Sequence, residues 1–351
     1  MGVVVTFDAP GAIGFTEEAD PPLHGHEVRL QTLYSGISAG TELTAYRGSN
    51  PYLGKRWDEE RRLFVPDHDV SLQYPVAGWG YEEVGRVEEV GSSVTSVQLG
   101  QIVWGTWGHR SRVVVSEAWA AARILPEDID PIVGVFSQIG SIALNALLDA
   151  NIHLGEVVAV FGQGVPGLLV TQLARLNGAT VVGVDGIGRR LELSTILGAE
   201  RVVDFNEESP AEVVKALTDG RGADVSIEIS GSASALHEAV RSTAYNSRVV
   251  TSGFFQGAAG SLFLGEEFHH NRIEIVCSQI SGVSRSLDHR WDEGRLQQAF
   301  MSLVAHRRVE LKPLISHVVP AREAAEAFRL LDEHPDETVQ VVLDFTGGPS
   351  A

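Results

Sequence analysis

The chain has 351 residues, 44% of them hydrophobic and 21% charged, with a formal net charge of −19. That is room for two domains, each with a buried core. The acidic balance lacks the basic footprint that phosphate neutralisation requires, which argues against a nucleic-acid partner and against docking on anionic lipid.

The one cysteine, Cys277, excludes an intramolecular disulfide framework and a multi-cysteine zinc cluster. Set in the apolar run IEIVCSQ, it reads as a buried structural thiol. No unbroken apolar run reaches 18 residues, so no membrane span is expected. MGVVVTFDAPG lacks the basic and apolar regions of a signal peptide, which makes a cytoplasmic protein the expectation.

In chain order, the first third offers short β-like runs separated by Gly, Pro and Asp: GVVVTF, EVRLQTLYSG, EVGRVEEVG, QIVWGTW and RVVVS. Between them, residues 48–74 are charged and aromatic without a period, and read as a long irregular binding loop. From about Ser137 the pattern changes. The helix-period segment QIGSIALNALLDAN leads into alternating strands and helices, from VVAVFG and GLLVTQLARLNG to DVSIEIS and ASALHEAVRSTA. Such alternation implies βαβ units and a parallel sheet, and the unbroken Val/Ile runs suit strands buried on both faces. The apolar IEIVCSQI follows, then a helix in GRLQQAFMSLVAHRR, a strand in PLISHVV, a helix in AREAAEAFRLLDEH and a closing strand in VQVVLDF.

The strand VVAVF runs straight into Gly162-Gln163-Gly164-Val165-Pro166-Gly167 at the start of a helix. In such a loop Gly162 permits the tight turn, Gly164 lets backbone approach a pyrophosphate, and Gly167 allows close helix–strand packing. Pro166 suits a first helical turn, and the helix start offers free N–H groups and a favourable dipole to phosphate. Asp185 ends the next strand, TVVGVD, where a carboxylate accepts hydrogen bonds from both ribose hydroxyls and repels a 2′-phosphate. NAD(H) is therefore expected in preference to NADP(H), although Arg189 and Arg190 follow closely and suit a 2′-phosphate.

A β-rich front, a dinucleotide-binding middle and a short returning tail together resemble the medium-chain dehydrogenase/reductase family across nearly the whole chain. The supporting stretches are SGISAGTEL, YPVAGWGYEEVGRVEEVG, LGQIVWG, VFGQGVPG and GADVSIEISG. The resemblance implies an α/β fold: a GroES-like β-rich catalytic domain (1–138 and 306–351) and a Rossmann doubly wound parallel-sheet domain (139–305). It adds Ser230 and Gly253 to the cofactor residues. It also implies a homodimer joined through the cofactor domain, with EIVCSQI as an edge strand needing cover.

Zinc-bearing members of that family carry a cysteine in the first turn, Gly-His-Glu in the second stretch, and Cys or Glu near the start of the cofactor domain. Here either Ser38 or Ala39 takes the cysteine's place, Gly80-Tyr81-Glu82 replaces Gly-His-Glu, and Gln138 falls at the third position. Serine, tyrosine and glutamine are poor zinc ligands, so no metal is expected, although Glu42, Glu82, His68 and His109 lie near enough in sequence for an improvised site. Without zinc a hydrogen-bond donor has to act at the substrate oxygen. Tyr81 is the first candidate, with packing into the vacated space as its alternative. Ser38, Thr41, Glu42, Glu82 and His109 complete the candidate catalytic set, with His109 reading as a surface histidine in preference to a proton relay.

These features together point to an NAD(H)-dependent, zinc-independent oxidoreductase interconverting a secondary alcohol and a ketone on a small-molecule substrate. GISAGTEL most resembles the branch of bacteriochlorophyllide hydroxyethyl and polyol dehydrogenases. The alternatives are an enoyl or quinone reductase acting on an activated C=C bond, and a catalytically silent cofactor-binding scaffold.

Overall fold

The computed structural model describes residues 1–66 and 69–347; His68 lies outside them. The chain divides into two compact units, Met1–Gln138 with Ile315–Ala351, and Ile139–Leu314. The return to the first unit thus falls after Leu314, later in the chain than the residue 306 of the sequence reading.

The hub of the first unit is the strand Glu27–Ile37. It pairs antiparallel with Glu83–Val90, Arg112–Ser116 and the closing strand Gln340–Asp344. Ile102–Gly105 extends the sheet on one side and Ile315–Pro320 on the other. Side chains alternate across a strand, so Val28 and Leu30 go inward to meet Val87, Val103 and Trp107. A second core gathers Phe7, Ile37, Leu43, Phe328 and Leu343, with Phe328 contributed by the helix Ala324–Glu333.

The antiparallel pairing has a direct consequence for function. Ser35 sits opposite Glu83, so the turn that follows the hub strand and the segment that precedes its partner emerge at the same end of the sheet. Ser38–Glu42 and Tyr81–Glu82 are therefore neighbours in space although about forty residues apart. The turn goes on into a short helix, Glu42–Arg47, which period-reading of so short a segment does not show. The described residues of the 48–74 stretch include regular structure where the sequence predicts an irregular loop. They hold a 3₁₀ turn at Pro51–Leu53 and a hairpin of Arg56–Asp58 with Leu63–Val65, where the Tyr52 and Trp57 rings pack on Phe64 at 5.3 and 4.9 Å between centroids.

The second unit carries a parallel sheet in the spatial order Arg201–Asp204, Thr180–Asp185, Val157–Phe161, Ala223–Glu228, Thr243–Thr251, Glu274–Cys277. Every pairing along it is parallel. The first strand of the unit in sequence lies in the middle, and the order reverses beside it. That reversal opens a crevice at the strands' carboxyl ends, where ligands bind in sheets of this kind. Val158, Ala159 and Val160 are fully buried, as expected of a strand covered on both faces.

Two readings change here. Cys277 is exposed, because its apolar run forms the last strand of the sheet and only one flank is paired. The stretch Pro131–Ala150 is helical and, by length and composition, apolar enough to cross a membrane, although no unbroken apolar run of 18 exists in the sequence; 78% of its apolar window is buried within the protein, which is the character of a core helix.

Candidate active site

In the second unit the glycine loop has the shape its sequence implies. Gly162 has φ of +96°, a left-handed conformation, and a Cβ there would press on Ser230. A Cβ on Gly167 would lie 1.8 Å from the Gly162 carbonyl oxygen, so the helix comes as close to the strand as only glycine allows. Gly164 differs: a Cβ there meets no atom nearer than 4.0 Å. It precedes the helix Val165–Leu176, whose start no side chain caps and whose first turn holds Val165 and Pro166. The loop thus combines a tight turn, open space beside backbone, and unclaimed N–H groups, which suits an anion.

A groove of about 760 Å³ opens beside this loop, lined by Gly162, Asp185, Ile187, Arg190, Phe205 and Ser230 among others. Asp185 is buried. One of its oxygens accepts the Gln163 N–H at 2.6 Å, and the other accepts those of Gly186 and Ile187 at 2.8 and 3.0 Å. These bonds fix the carboxylate at the groove wall and leave acceptor capacity for a ligand. Arg190 shares that wall, whereas Arg189 is exposed and is not among the lining residues. Gly253 stands apart from the wall: its α-carbon is packed so closely on Gly231 that a Cβ would fall 2.1 Å from the Gly231 nitrogen.

Sequence reasoning missed Glu228, at the carboxyl end of its strand. It accepts the Ser230 hydroxyl and the N–H groups of Ser230 and Gly231, the latter two at 2.8 and 3.0 Å, and so holds Ser230 at the groove. Burial pushes its carboxyl up to about 7 against the pull of those donors. The available signal was a lone charge at the end of an apolar strand.

In the first unit the catalytic candidates form one polar cluster. Ser38 Oγ and Tyr81 Oη share a hydrogen bond of 2.5 Å, and Tyr81 also donates to Thr41 Oγ1 at 3.4 Å. Ser38 rather than Ala39 is therefore the residue of the first turn that faces the second stretch; Ala39 is exposed. The Ser38 N–H binds one oxygen of Glu42 at 3.0 Å, and the other oxygen meets His109 Nε2 at 2.6 Å. His109 Nδ1 meets Ser35 Oγ at 2.6 Å, and Ser35 donates to Glu83 at 3.1 Å. Glu83 also takes the Trp107 N–H at 2.6 Å. His109 is thus fully buried, not the surface histidine of the sequence reading. Gly80, at φ +132°, makes room for it: a Cβ there would approach the imidazole to 3.0 Å.

Exposure separates the candidates. Ser38, Glu42, Glu82 and His109 are buried, whereas Tyr81 and Thr41 keep partly exposed surface. Burial raises the Tyr81 phenol above its ordinary value, so it stays protonated and serves as a hydrogen-bond donor. Burial also lifts Glu82 well above the carboxylate range, helped by Glu42 and then Glu83 and only partly offset by Gln340. Neither Glu82 oxygen has a hydrogen bond of good geometry, which is tolerable for a neutral acid and costly for an anion. Burial alone would lower His109, but the Glu42 charge, its hydrogen bond and the Glu83 charge outweigh that, and the net shift is upward.

The zinc that the family implies does not fit these residues. The donors at the three positions are a serine hydroxyl, a phenol held protonated and an amide, Gln138, with a carboxyl biased toward its neutral form beside them. The Ser38 and Tyr81 oxygens, moreover, are already hydrogen-bonded to each other. Zinc sites use deprotonated thiolate, neutral imidazole or carboxylate.

A family model described as zinc-binding dehydrogenase matches residues 166–295. An alcohol dehydrogenase of Cupriavidus necator is 30% identical over 334 residues, spanning 79% of this chain and 87% of the relative. A D-guloside 3-dehydrogenase of Escherichia coli K12 is 28% identical over 344 residues, 96% of this chain and 98% of its own length. Among solved structures, an Escherichia coli oxidoreductase/dehydrogenase of unknown specificity superposes with a TM-score of 0.79 at 18% identity, over 98% of this chain and 99% of the other. The chain belongs to the zinc-binding dehydrogenases of the medium-chain dehydrogenase/reductase family, and it is an oxidoreductase.

Two predictions follow from the geometry. Gly164→Ala, with open space for the methyl group, should fold normally and weaken NADH binding about tenfold or more, while Gly167→Ala should lower the melting temperature because its Cβ meets backbone. Fluorescence titration and thermal melts separate the two; unchanged NADH affinity in Gly164→Ala would remove that loop from the cofactor site. The second concerns pH. A carboxyl raised above its unfolded value of 4.5 favours the fold below that value and loses the contribution as pH rises through its folded value. His109, raised above 6.5, likewise stabilises fully below 6.5 and less as pH climbs through its folded value. Stability should therefore fall as pH rises above about 4.5, where Glu82 begins to lose its contribution, and further above about 6.5, where His109 does, and Glu82→Gln should raise the melting temperature at the alkaline end and flatten the profile. A Glu82→Gln protein with the wild-type pH profile would contradict a neutral Glu82.

Proposed function

We propose that the protein is an NAD(H)-dependent oxidoreductase that interconverts a secondary alcohol and a ketone without zinc. The observation that carries this reading is the Tyr81 hydroxyl. It belongs to a residue that keeps some exposed surface, is kept protonated, and is bonded to Ser38 and Thr41 at the place where zinc-bearing relatives put metal ligands. NAD(H), when bound, supplies or takes up the hydride. The chain's own task is to hold the reacting oxygen and its proton. In the reducing direction the Tyr81 phenol gives its proton to the carbonyl oxygen as hydride arrives and is reprotonated from water through the hydrogen-bonded Ser38 hydroxyl, with Thr41 helping to keep it in place; in oxidation the alcohol proton returns to water by the same route. Glu42 and His109 hold the turn and do not themselves reach substrate.

Preference for NAD over NADP rests on Asp185, fixed at the groove wall by three backbone N–H groups. Substrate class rests on the relatives' printed activities. D-guloside 3-dehydrogenase, sorbitol dehydrogenase and L-threonine 3-dehydrogenase share polyhydroxylated or hydroxylated substrates, and 3-oxidation of a guloside or of threonine takes place at a secondary carbinol. Sugars, glycosides and polyols are the first compounds to offer. A cytoplasmic location accords with NAD-linked turnover of such metabolites.

Activity on a panel of polyols, glycosides and enones with NAD(H) and NADP(H) tests this reading. Turnover of secondary alcohols with NAD is expected, and Tyr81→Phe should lose about 10²-fold or more in kcat with NADH affinity preserved. Turnover confined to enones or quinones, inactivity across the panel despite tight NADH binding, or a fully active Tyr81→Phe would each reject it.

We also infer that two copies join through the edge strand Glu274–Cys277. Its outer side carries unpaired backbone groups, and Glu274 and Cys277 are exposed, an arrangement that an unassembled protein normally guards with charge or proline. Light scattering should give a dimer, and Cys277→Lys should shift it toward monomer while NADH still binds. A wild-type monomer at a concentration of about 10 µM would dismiss the interface, since an edge this open is argued to need cover.

A further inference from the structure

We propose that His237, Glu266 and Glu267 form a binding site for a divalent transition-metal ion in the second unit, unrelated to the catalytic cluster of the first. His237 projects from the helix Ala233–Ser242. The two glutamates lie in the turn Leu264–Phe268, which leaves helical geometry at Glu266 with φ −100° and ψ −125°. One ligand atom from each of the three lies within 4.8 Å of the others. A tetrahedral ion with bonds of about 2.0–2.2 Å would draw them together by side-chain adjustment alone.

A separate observation points to a missing occupant. Nδ1 of His237 and Oε2 of Glu267 are both shut off from water, and neither has a hydrogen-bond partner. Unmet polar atoms of this kind are costly and uncommon, and both belong to residues whose ligand atoms come within reach of one ion. The surroundings favour it. The Phe263 ring stands edge-on to the imidazole at 5.2 Å between centroids and limits its rotation. Arg241 holds the other oxygen of Glu267 at 3.4 Å and pairs with Glu238, which orients the carboxylate as an outer layer of donors does around a metal. Glu238, Glu266 and Glu267 are three carboxylates against the Arg241 guanidinium and the Lys215 ammonium, whose charge also reaches Glu267, so the group still lacks positive charge that a cation would supply. One nitrogen and two oxygens match zinc or its transition-metal neighbours better than calcium or magnesium, which prefer oxygen alone. Glu266 is exposed, which gives an ion its way in, and the fourth position falls to water.

This site bears on how metal content is read. Zinc found in the purified protein would ordinarily be assigned to the catalytic domain of this family, and here it has another place to sit. The test uses the full chain stripped with chelator and titrated with zinc chloride by calorimetry, with elemental analysis of the product. Wild type is expected to take one equivalent with a Kd on the order of 1 µM or tighter. His237→Ala and Glu267→Gln should each weaken uptake tenfold or more while still binding NADH, which shows that the unit is folded. Ser38→Ala and Tyr81→Phe should leave uptake unchanged. Undiminished uptake by both His237→Ala and Glu267→Gln, or no wild-type uptake at about 100 µM zinc, weak even for a three-ligand site, overturns the proposal. Uptake that instead depends on Ser38 and Tyr81 overturns it together with zinc-free catalysis, whereas uptake that depends on His237 leaves the catalytic reading intact.

Discussion

The contact on which the first unit's site depends is the 2.6 Å bond between His109 and Glu42, both fully buried. It joins two stretches that have no covalent reason to meet, the turn after the hub strand and the loop carrying Trp107 and His109, and the segment bearing Tyr81 is tied to the same turn through Ser38. Through its second nitrogen and Ser35 the same imidazole reaches Glu83, which in turn holds the backbone of Trp107. Breaking such a buried pair by deleting one partner costs about 3–5 kcal/mol, because the other charge is stranded. Replacing the pair by well-packed apolar groups often costs nothing. The worth of the pair therefore lies less in net stability than in where it places the Ser38–Tyr81 hydrogen bond.

In zinc-bearing relatives a metal ties the first turn to the second stretch. Here the tie is made of hydrogen bonds, and its charge balance is tight. Three carboxyl groups, on Glu42, Glu82 and Glu83, share buried surroundings with one imidazole. A single imidazolium can offset one carboxylate fully and ease a second. Burial raises both Glu82 and Glu83, and neighbouring carboxylates add to the shift; Glu82, with no sound hydrogen bond, is the group that gives way. A divalent metal would have changed this balance, so the protonation pattern and the altered ligand residues belong to one electrostatic arrangement.

How much of this was legible in the sequence follows from the range over which each feature is specified. The dinucleotide loop is local: strand, glycines, proline and helix lie within about 20 residues, and Asp185 is one strand further on. The structure realises each glycine's steric role there, with Gly253, a residue from a distant loop, the exception. The cluster around Tyr81 was legible in its membership but not in its connections. Whether Ser38 or Ala39 takes the first position cannot be read from a turn with an inserted residue; it is settled by which one meets a phenol 43 residues away. His109 looked like a surface residue because WGTWGHRS is polar and turn-like, yet its burial comes from partners 67 and 74 residues distant. Cys277 failed in the opposite sense, since an apolar run predicts burial only when the sheet continues beyond it.

The two units also divide the chemistry by the kind of group each can supply. The parallel sheet of the second unit ends in backbone N–H groups and the fixed carboxyl groups of Asp185 and Glu228, which suit a phosphate and a ribose and are indifferent to what is oxidised. The antiparallel sheet of the first unit brings together side chains from distant segments, so its donors can change by substitution at single positions without disturbing the strands. With a serine and a tyrosine at these positions, the register of Glu27–Ile37 with Glu83–Val90 brings Ser38 and Tyr81 to the same place, within hydrogen-bond distance of each other. The constraint on such exchanges is electrostatic: a buried acid beside them has to become neutral or find a cation, and here Glu82 is shifted toward its neutral form while Glu42 meets His109.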